Sequence, residues 1–289
     1  MKRIKYYLRY IPDSVFLRMM YLYRMGCVLH LKHPKTFNEK MQWMKLYIKK
    51  TKSPIYIKMV DKILAKEYVA SIIGEEYIIP TLYVYKSVDE IDFKKLPDQF
   101  VLKCNHDSGG LVICKDKKNF DFSKAKKIIS DCMDNNFYYH CREWQYKNIK
   151  PLIFAEKYME DESGYELKDY KFFCFNGKVK CLKVDFGRFQ EHHANYYDRK
   201  LNILPFGEAK LPPVPNHIIN FPQNIEEMFS LAEKLAQGLI FVRVDLYNIR
   251  GTVYFGELTL CPASGMGKFT DENWDYILGE WLNLPNAYK

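Results

Sequence analysis

The eight cysteines, at 27, 104, 114, 132, 141, 174, 181 and 261, are scattered singly, with no C-x-x-C pair. No Cys/His grouping has zinc spacing, which argues against a zinc site, and isolated thiols fit a reducing, cytosolic compartment better than a disulfide framework. No apolar run approaches the roughly 18 residues that a membrane span needs. Met1 to Tyr10 is basic, but no apolar stretch with a small-residue cleavage site follows, so no secretory leader is expected. Internal repeats, low-complexity tracts, long blocks of one charge sign and nucleic-acid-binding motifs are also missing, so nucleic acid is not an expected partner.

What is present is a 289-residue chain, 48% apolar, long enough for one large domain or two to three lobes around a sizeable core. The 44 basic and 35 acidic residues leave a net charge of +9, which favours anionic partners such as nucleotides, acidic glycans or phospholipid surfaces.

Residues 1–50 are basic, aromatic and rich in methionine, and YLRY, FLRMMYLYRM and FNEKMQWMKLYI read as helices. Thr36 and Glu39 have capping-box spacing, which starts a helix at Phe37. Such a basic amphipathic segment either lies on an anionic membrane or packs as a helical cap on the body. The spacing of Val60, Ile63, Leu64, Tyr68 and Ile72 predicts one helix over 58–73, closed by Gly74, with Lys62 and Lys66 one turn apart.

Phe100 to Cys104 reads as a strand, Asn105 to Gly110 as a polar loop closed by two glycines, and Leu111 to Cys114 as the return strand. A glycine loop lets backbone N–H groups approach an anion, and Lys103 beside it offers a charge for phosphate. The stretch PASGMGKF at 262–269 imitates a Walker A loop but has proline and phenylalanine where that motif needs glycine and Ser/Thr. Residues 123–137 read as a helix capped by Ser123, and Leu152 to Ala155 as a buried strand followed by Glu156 to Met159. Asn176-Gly177 marks a hairpin, with Asp169 and Lys171 on one face of its first arm. His192 and His193 are adjacent, so on a strand they point apart and make no two-ligand metal site. Leu211 to Pro222 reads as a linker. Asn224 and Glu227 have capping-box spacing before a helix that Gly238 ends.

The hairpin FVRVDLYNIRGTVYFGELTLCPASG, 241–265, closes the series. Side chains alternate along a strand, so Arg243 and Asp245 share a face of one arm, and Glu257 and Thr259 share a face of the other. If the arms pair, a cation, two carboxylates and a hydroxyl converge. Two carboxylates suit Mg²⁺, and a nearby arginine suits phosphate oxygens. The alternative is a structural hairpin with a solvated charged face.

Seven stretches in this order, PKTFNEKMQW, VDKILAKEYV, FVLKCNHDSGG, FAEKYM, DYKFFCFNGK, RVDLY and FGELTLCPASG, resemble the ATP-grasp superfamily, and within it the TupA-like branch associated with bacterial surface-polysaccharide and teichuronopeptide synthesis. The resemblance covers most of the chain. It implies an α+β fold in which two lobes, 58–150 and 151–289, clasp ATP behind a helical extension, 1–57. It implies that Lys62 and Lys103 hold ATP phosphates, and that Asn105, Ser108, Gly109 and Gly110 belong to a lid over them. It further implies that Glu156, Lys157 and Tyr158 meet adenine at the hinge, largely through main chain. Asp245 and Glu257 would be the Mg²⁺ carboxylates. Thr259 stands where most members carry asparagine, so its metal role is less secure. Arg243 would lie beside the transferred phosphate, with Lys171 in a phosphate or substrate role. No ribose acid stands out, since Glu162 and Glu166 compete. Many such ligases carry a full α/β domain ahead of this point; here only residues 1–57 precede, so substrate identity does not carry over.

The chemistry so implied is amide formation through an acyl phosphate, joining an amino acid to a uronic acid of a surface glycan or its precursor. The enzyme would be cytoplasmic and peripheral to the membrane. Three rivals stay open: a phosphotransferase of the same fold, a sugar-nucleotide glycosyltransferase, and a non-catalytic membrane- or glycan-binding module.

Overall fold

The computed structural model describes residues 8–107, 109–162, 164, 167–187 and 191–285. The chain opens with helices α1 (Asp13–Met25), α2 (Phe37–Thr51), α3 (Pro54–Val60) and α4 (Lys62–Ile73). Strands β1 (Thr81–Tyr85), β2 (Phe100–Cys104) and β3 (Leu111–Cys114) follow, then helices α5 (Phe122–Met133) and α6 (Tyr138–Cys141). Next come β4 (Ile153–Lys157), β5 (Asp169–Phe175), β6 (Lys178–Phe186) and β7 (His193–Tyr197). Helix α7 (Ile225–Ala236), the hairpin β8 (Phe241–Ile249) and β9 (Thr252–Thr259), and helix α8 (Asn273–Trp281) complete the order. Two antiparallel sheets result, β1-β4-β2-β3 and β7-β6-β5-β8-β9, and the class is α+β.

Local chemistry sets the joints. Thr36 Oγ1 accepts from the Glu39 N–H and Glu39 Oε2 accepts from the Thr36 N–H, both at 3.2 Å, so the capping box starts α2 at Phe37. Asn176 and Gly177 have φ of +47° and +83°, and Arg250 and Gly251 have +52° and +86°. Two successive positive φ values match the twist of paired strands, and they close β5–β6 and β8–β9 as tight hairpins.

Three expectations are corrected. The single helix over 58–73 is two helices. Asp61 is extended, and its Oδ1 accepts from the N–H groups of Ile63 and Leu64, so it caps α4 and ends α3. The next helix begins at Phe122 rather than Ser123 and ends at Met133, because Asp121 takes the cap by accepting from the Lys124 N–H at 2.8 Å. Asn224 forms no capping box. Its amide donates to Glu227 and to the Gly251 carbonyl, and its carbonyl accepts from Asn248, which ties α7 to the β8–β9 turn.

Two apolar clusters anchor the sheets. The larger packs Phe172, Phe175, Phe229 and Phe241 of the second sheet and α7 with Phe37, Met41 and Ile48 of α2. The smaller packs Phe100, Leu102 and Ile153 against Ile129 of α5. Full burial of each such side chain contributes roughly 1.5–3 kcal/mol. A third, small cluster of Phe16, Leu17, Tyr21 and Leu29 seats α1.

Candidate functional site

The second sheet turns a charged face outward from its phenylalanine core. Register puts Asp245 opposite Glu257, Arg243 opposite Thr259, and Lys171 opposite Asp245. A bulge follows immediately, between Asp245 and Leu246, where Gly256 lies with its Cβ position 3.0 Å from the Asp245 carbonyl. Arg243 grips both carboxylates: Nε and Nη2 donate to Asp245 Oδ1 and Oδ2 at 2.7 and 2.6 Å, and Nη2 donates to Glu257 Oε1 at 2.7 Å. Thr259 Oγ1 donates to the same Glu257 oxygen at 3.2 Å. Lys171 Nζ lies 2.7, 3.2 and 3.6 Å from Asp169, Asp185 and Asp245.

Electrostatics differ sharply across this face. Burial pushes the Asp245 carboxyl up to about 6, even with Arg243 and Lys171 beside it. Burial also opposes ionisation of Glu257, but Arg243, Lys62 and Lys171 prevail and hold it below the usual carboxylate range. Its side chain is still 42% exposed, toward the cleft. Burial would discharge Lys171, yet Asp169, Asp245 and Asp185 raise it above the ordinary lysine value.

The first sheet and α4 supply lysines. Lys62 opens α4, and its Nζ donates to the Asp107 carbonyl in the glycine loop. Burial lowers its pKa, while Glu257 of the second sheet raises it and Lys103 lowers it further, so this ammonium feels both sheets. Lys66 and Lys103 each lie 2.5 Å from a different oxygen of Glu156. Burial raises the Glu156 carboxyl, but the two lysines outweigh it and hold the group below its ordinary value.

The glycine loop is built inward. Asn105 is fully buried; its amide donates to Asp61 Oδ2 and the Lys150 carbonyl, and its carbonyl accepts from the Leu152 N–H. Its side chain is therefore a tether between the loop and the α4 cap. Gly109 has room around it, whereas a Cβ on Gly110 would lie 2.4 and 2.7 Å from the sulfurs of Cys132 and Cys104. Ser108 and Glu166 lie outside the described residues. At the hinge, Glu156 and Lys157 sit within β4, which hydrogen-bonds to β1 on one side and β2 on the other. Tyr158 lies past that ladder, its hydroxyl 3.2 Å from Glu160. Glu162 is exposed, with Lys168 Nζ at 3.5 Å.

Several members of the cluster escaped the sequence reading. Lys183 and Asp185 of β6 join the charged face 3.4 Å apart, and Lys183 also meets Glu208 at 2.8 Å. Their i, i+2 spacing after the Asn-Gly turn carries the pattern that exposed Asp169 and Lys171. Glu208, from an irregular stretch, has no such pattern.

A cavity of about 850 Å³ opens on Lys62, Arg243, Glu257 and Thr259, and on its far side is walled by Met20 and Arg24 of α1. Among the described residues, no three His, Cys, Asp or Glu converge as a metal site. Mg²⁺ bound through one or two carboxylates completes its shell with water and phosphate oxygens, so Asp245, Glu257 and Thr259 fit as a partial donor set for a cation that arrives with phosphate.

Similar solved structures include the D-alanine–D-alanine ligase of Helicobacter pylori, at 16% identity and TM-score 0.41, covering 78% of this chain and 61% of that one. Phosphoribosylamine–glycine ligase of Thermotoga maritima, at 12% and 0.43, covers 73% and 50%. N5-carboxyaminoimidazole synthetase of Staphylococcus aureus, at 17% and 0.42, covers 79% and 53%. The chain thus spans at most about three-fifths of the length of these proteins. No curated protein matches it. The family model described as TupA-like ATPgrasp matches residues 39–283, a stretch that holds α4, the glycine loop and the charged hairpin together. By that match the chain belongs to the TupA-like ATP-grasp family.

Proposed function

We propose that the protein is an ATP-dependent carboxylate–amine ligase that joins an amino acid to a uronic acid of a bacterial surface polysaccharide or its precursor. The observation that carries this reading is the direct opposition of Asp245 and Glu257 across β8–β9, with Arg243 bridging them. In this reading Lys62 and Lys103 take ATP phosphates, Gly109, Gly110 and Ser108 cover them, and Asn105 and Asp61 hold that loop in place. Glu156, Lys157 and Tyr158 would meet the adenine, largely through main chain. Asp245, Glu257 and Thr259 would hold Mg²⁺, which supplies charge neutralisation on the phosphates.

The acid's carboxylate oxygen forms a bond to the γ-phosphorus as the bond to ADP breaks, giving an acyl phosphate. The amine nitrogen then bonds to the acyl carbon, phosphate leaves with the C–O bond, and the nitrogen loses a proton. Such a transfer needs positioning and charge stabilisation more than a nucleophilic side chain. In this reading Arg243 would stabilise the transferred phosphoryl charge, and Lys171, which meets Asp169, Asp185 and Asp245, would take a phosphate or substrate role. The enzyme would work in the cytoplasm, with peripheral contact at the inner face of the membrane.

A screen of uronic acids against amino acids, read as ADP release, tests the reading. The expected result is ADP release that needs both an acid and an amine. Release that needs no amine would make the protein a phosphotransferase, and absence of ATP binding would remove the reading altogether.

A further inference from the structure

Helix α1 precedes the stretch matched by the family, and it has two working faces. Its inner face seats Phe16, Leu17 and Tyr21 in the third apolar cluster and presents Met20 and Arg24 to the cavity. Its outer face carries Val15, Met19, Leu22 and Tyr23, which are 44%, 54%, 53% and 84% exposed. These positions follow an i, i+4, i+7, i+8 spacing, so they form one stripe on the helix. With Tyr10 and Val28 they make six of the fifteen large apolar side chains that stand exposed among the described residues. An apolar concentration of this kind on one short element marks an interaction surface rather than ordinary scatter.

Charge selects the occupant. The first 35 residues contain eight Lys or Arg and a single acid, Asp13, so they carry seven of the nine net charges of the chain. Asp13 is buried and spent on Lys49 at 2.8 Å and on the Tyr138 hydroxyl. Arg18 is exposed beside the stripe, and Lys32 and Lys35 are exposed beyond it. A second copy would bring the same positive charge against this face. An anionic bilayer offers both an apolar interior for the stripe and negative headgroups for Arg18 and the lysines. No helix of the described residues is long and apolar enough to cross a membrane, so α1 would lie in the interface plane.

We infer that the outer face of α1 is an interfacial docking surface for an anionic lipid bilayer, and that it holds the cavity, which the same helix walls from the other side, next to the membrane. The inference rests on the peripheral contact of the proposed function and names the surface that makes it.

Cys27, two residues past the helix, is exposed, and the other seven cysteines are buried, so an environment-sensitive fluorophore can be attached there in the otherwise native protein. Vesicles of 30% phosphatidylglycerol in phosphatidylcholine, at low salt, should shift its emission to the blue and pellet the protein. Pure phosphatidylcholine should do so at least several-fold less. The triple variant Met19→Glu, Leu22→Glu, Tyr23→Glu changes only exposed side chains and should lose both responses with its melting temperature unchanged. No response of the wild-type protein to the anionic vesicles, or an equal response of the variant, would overturn the inference. So would a change from dimer to monomer in the variant by analytical ultracentrifugation, which would give the stripe to a second copy. Stabilisation by Mg·ATP, measured in parallel without vesicles, reports on the ligase reading alone; its absence would count against that reading and leave the lipid result standing.

Discussion

Glu257 and Glu156 show how single carboxylates set the character of this cleft. Glu257→Gln keeps the shape of the side chain and removes its charge. In the proposed function this should lower turnover on the order of 10³-fold, about 4 kcal/mol of transition-state stabilisation, with a much smaller loss of ATP affinity. Near-normal turnover would reduce the hairpin to a structural role. Glu156 makes a prediction about pH. Its carboxyl is held below its ordinary value of 4.5 by Lys103 and Lys66, against the opposing effect of burial. A lowered acid contributes stability that is present above its unfolded pKa and is lost as pH falls through the folded one. Glu156→Gln should therefore lower the melting temperature clearly at pH 7, and the gap to wild type should narrow as pH falls below 4.5. A gap that stays constant down to acid unfolding would mean that the two lysines draw nothing from the charge. At this scale the sequence was informative where strands alternate. Arg243, Asp245, Glu257 and Thr259 could be set on one face from spacing alone, and the register bears that out. Lys183 and Asp185 obey the same rule on β6 and were overlooked, because nothing local distinguishes a cleft-facing strand from a solvated one.

Elements were legible wherever a side chain commits the backbone locally. The Thr36–Glu39 box and the Asn176-Gly177 turn were readable because their partners lie within three residues. The break at Asp61 was not, since the apolar spacing of α3 and α4 runs through it without a change of phase. The aspartate does two jobs. It caps α4 with one oxygen and accepts from the Asn105 amide at 2.9 Å with the other. Burial pushes this carboxyl upward, against the hydrogen bonds from Ile63, Leu64 and Asn105. Loss of a helix cap costs about 1–2 kcal/mol, and here a loop anchor goes with it. Asp61→Ala should lower stability by at least that amount and speed amide hydrogen exchange at Asn105 to Asp107 as well as at Ile63 and Leu64. Faster exchange in α4 alone would show that the glycine loop does not depend on the cap.

At the scale of the whole molecule, neither the pairing of β4 between β1 and β2 nor the reach of α1 to the cavity could be derived from the residues, because both are set by contacts far apart in sequence. The α+β class and the family were legible as a succession of motifs. One feature of the assembled cleft bears on how it would fill. Lys66, Lys103, Lys171 and Arg243 are all already engaged by carboxylates of the same chain. In the proposed function a triphosphate would therefore compete for these four cations in an exchange reaction, displacing an internal anion for each of them that it wins. Such an exchange conserves ion pairs and leaves little net gain for the bare nucleotide, and Asp245 and Glu257 would be stranded when Arg243 turns to phosphate. A divalent cation would restore their balance. Mg·ATP should accordingly raise the melting temperature well above ATP with a chelator, by mass action on the folded state. Equal shifts would mean that the carboxylates never let go of their arginine, and that the protein's own charges act as a lock that the metal does not turn.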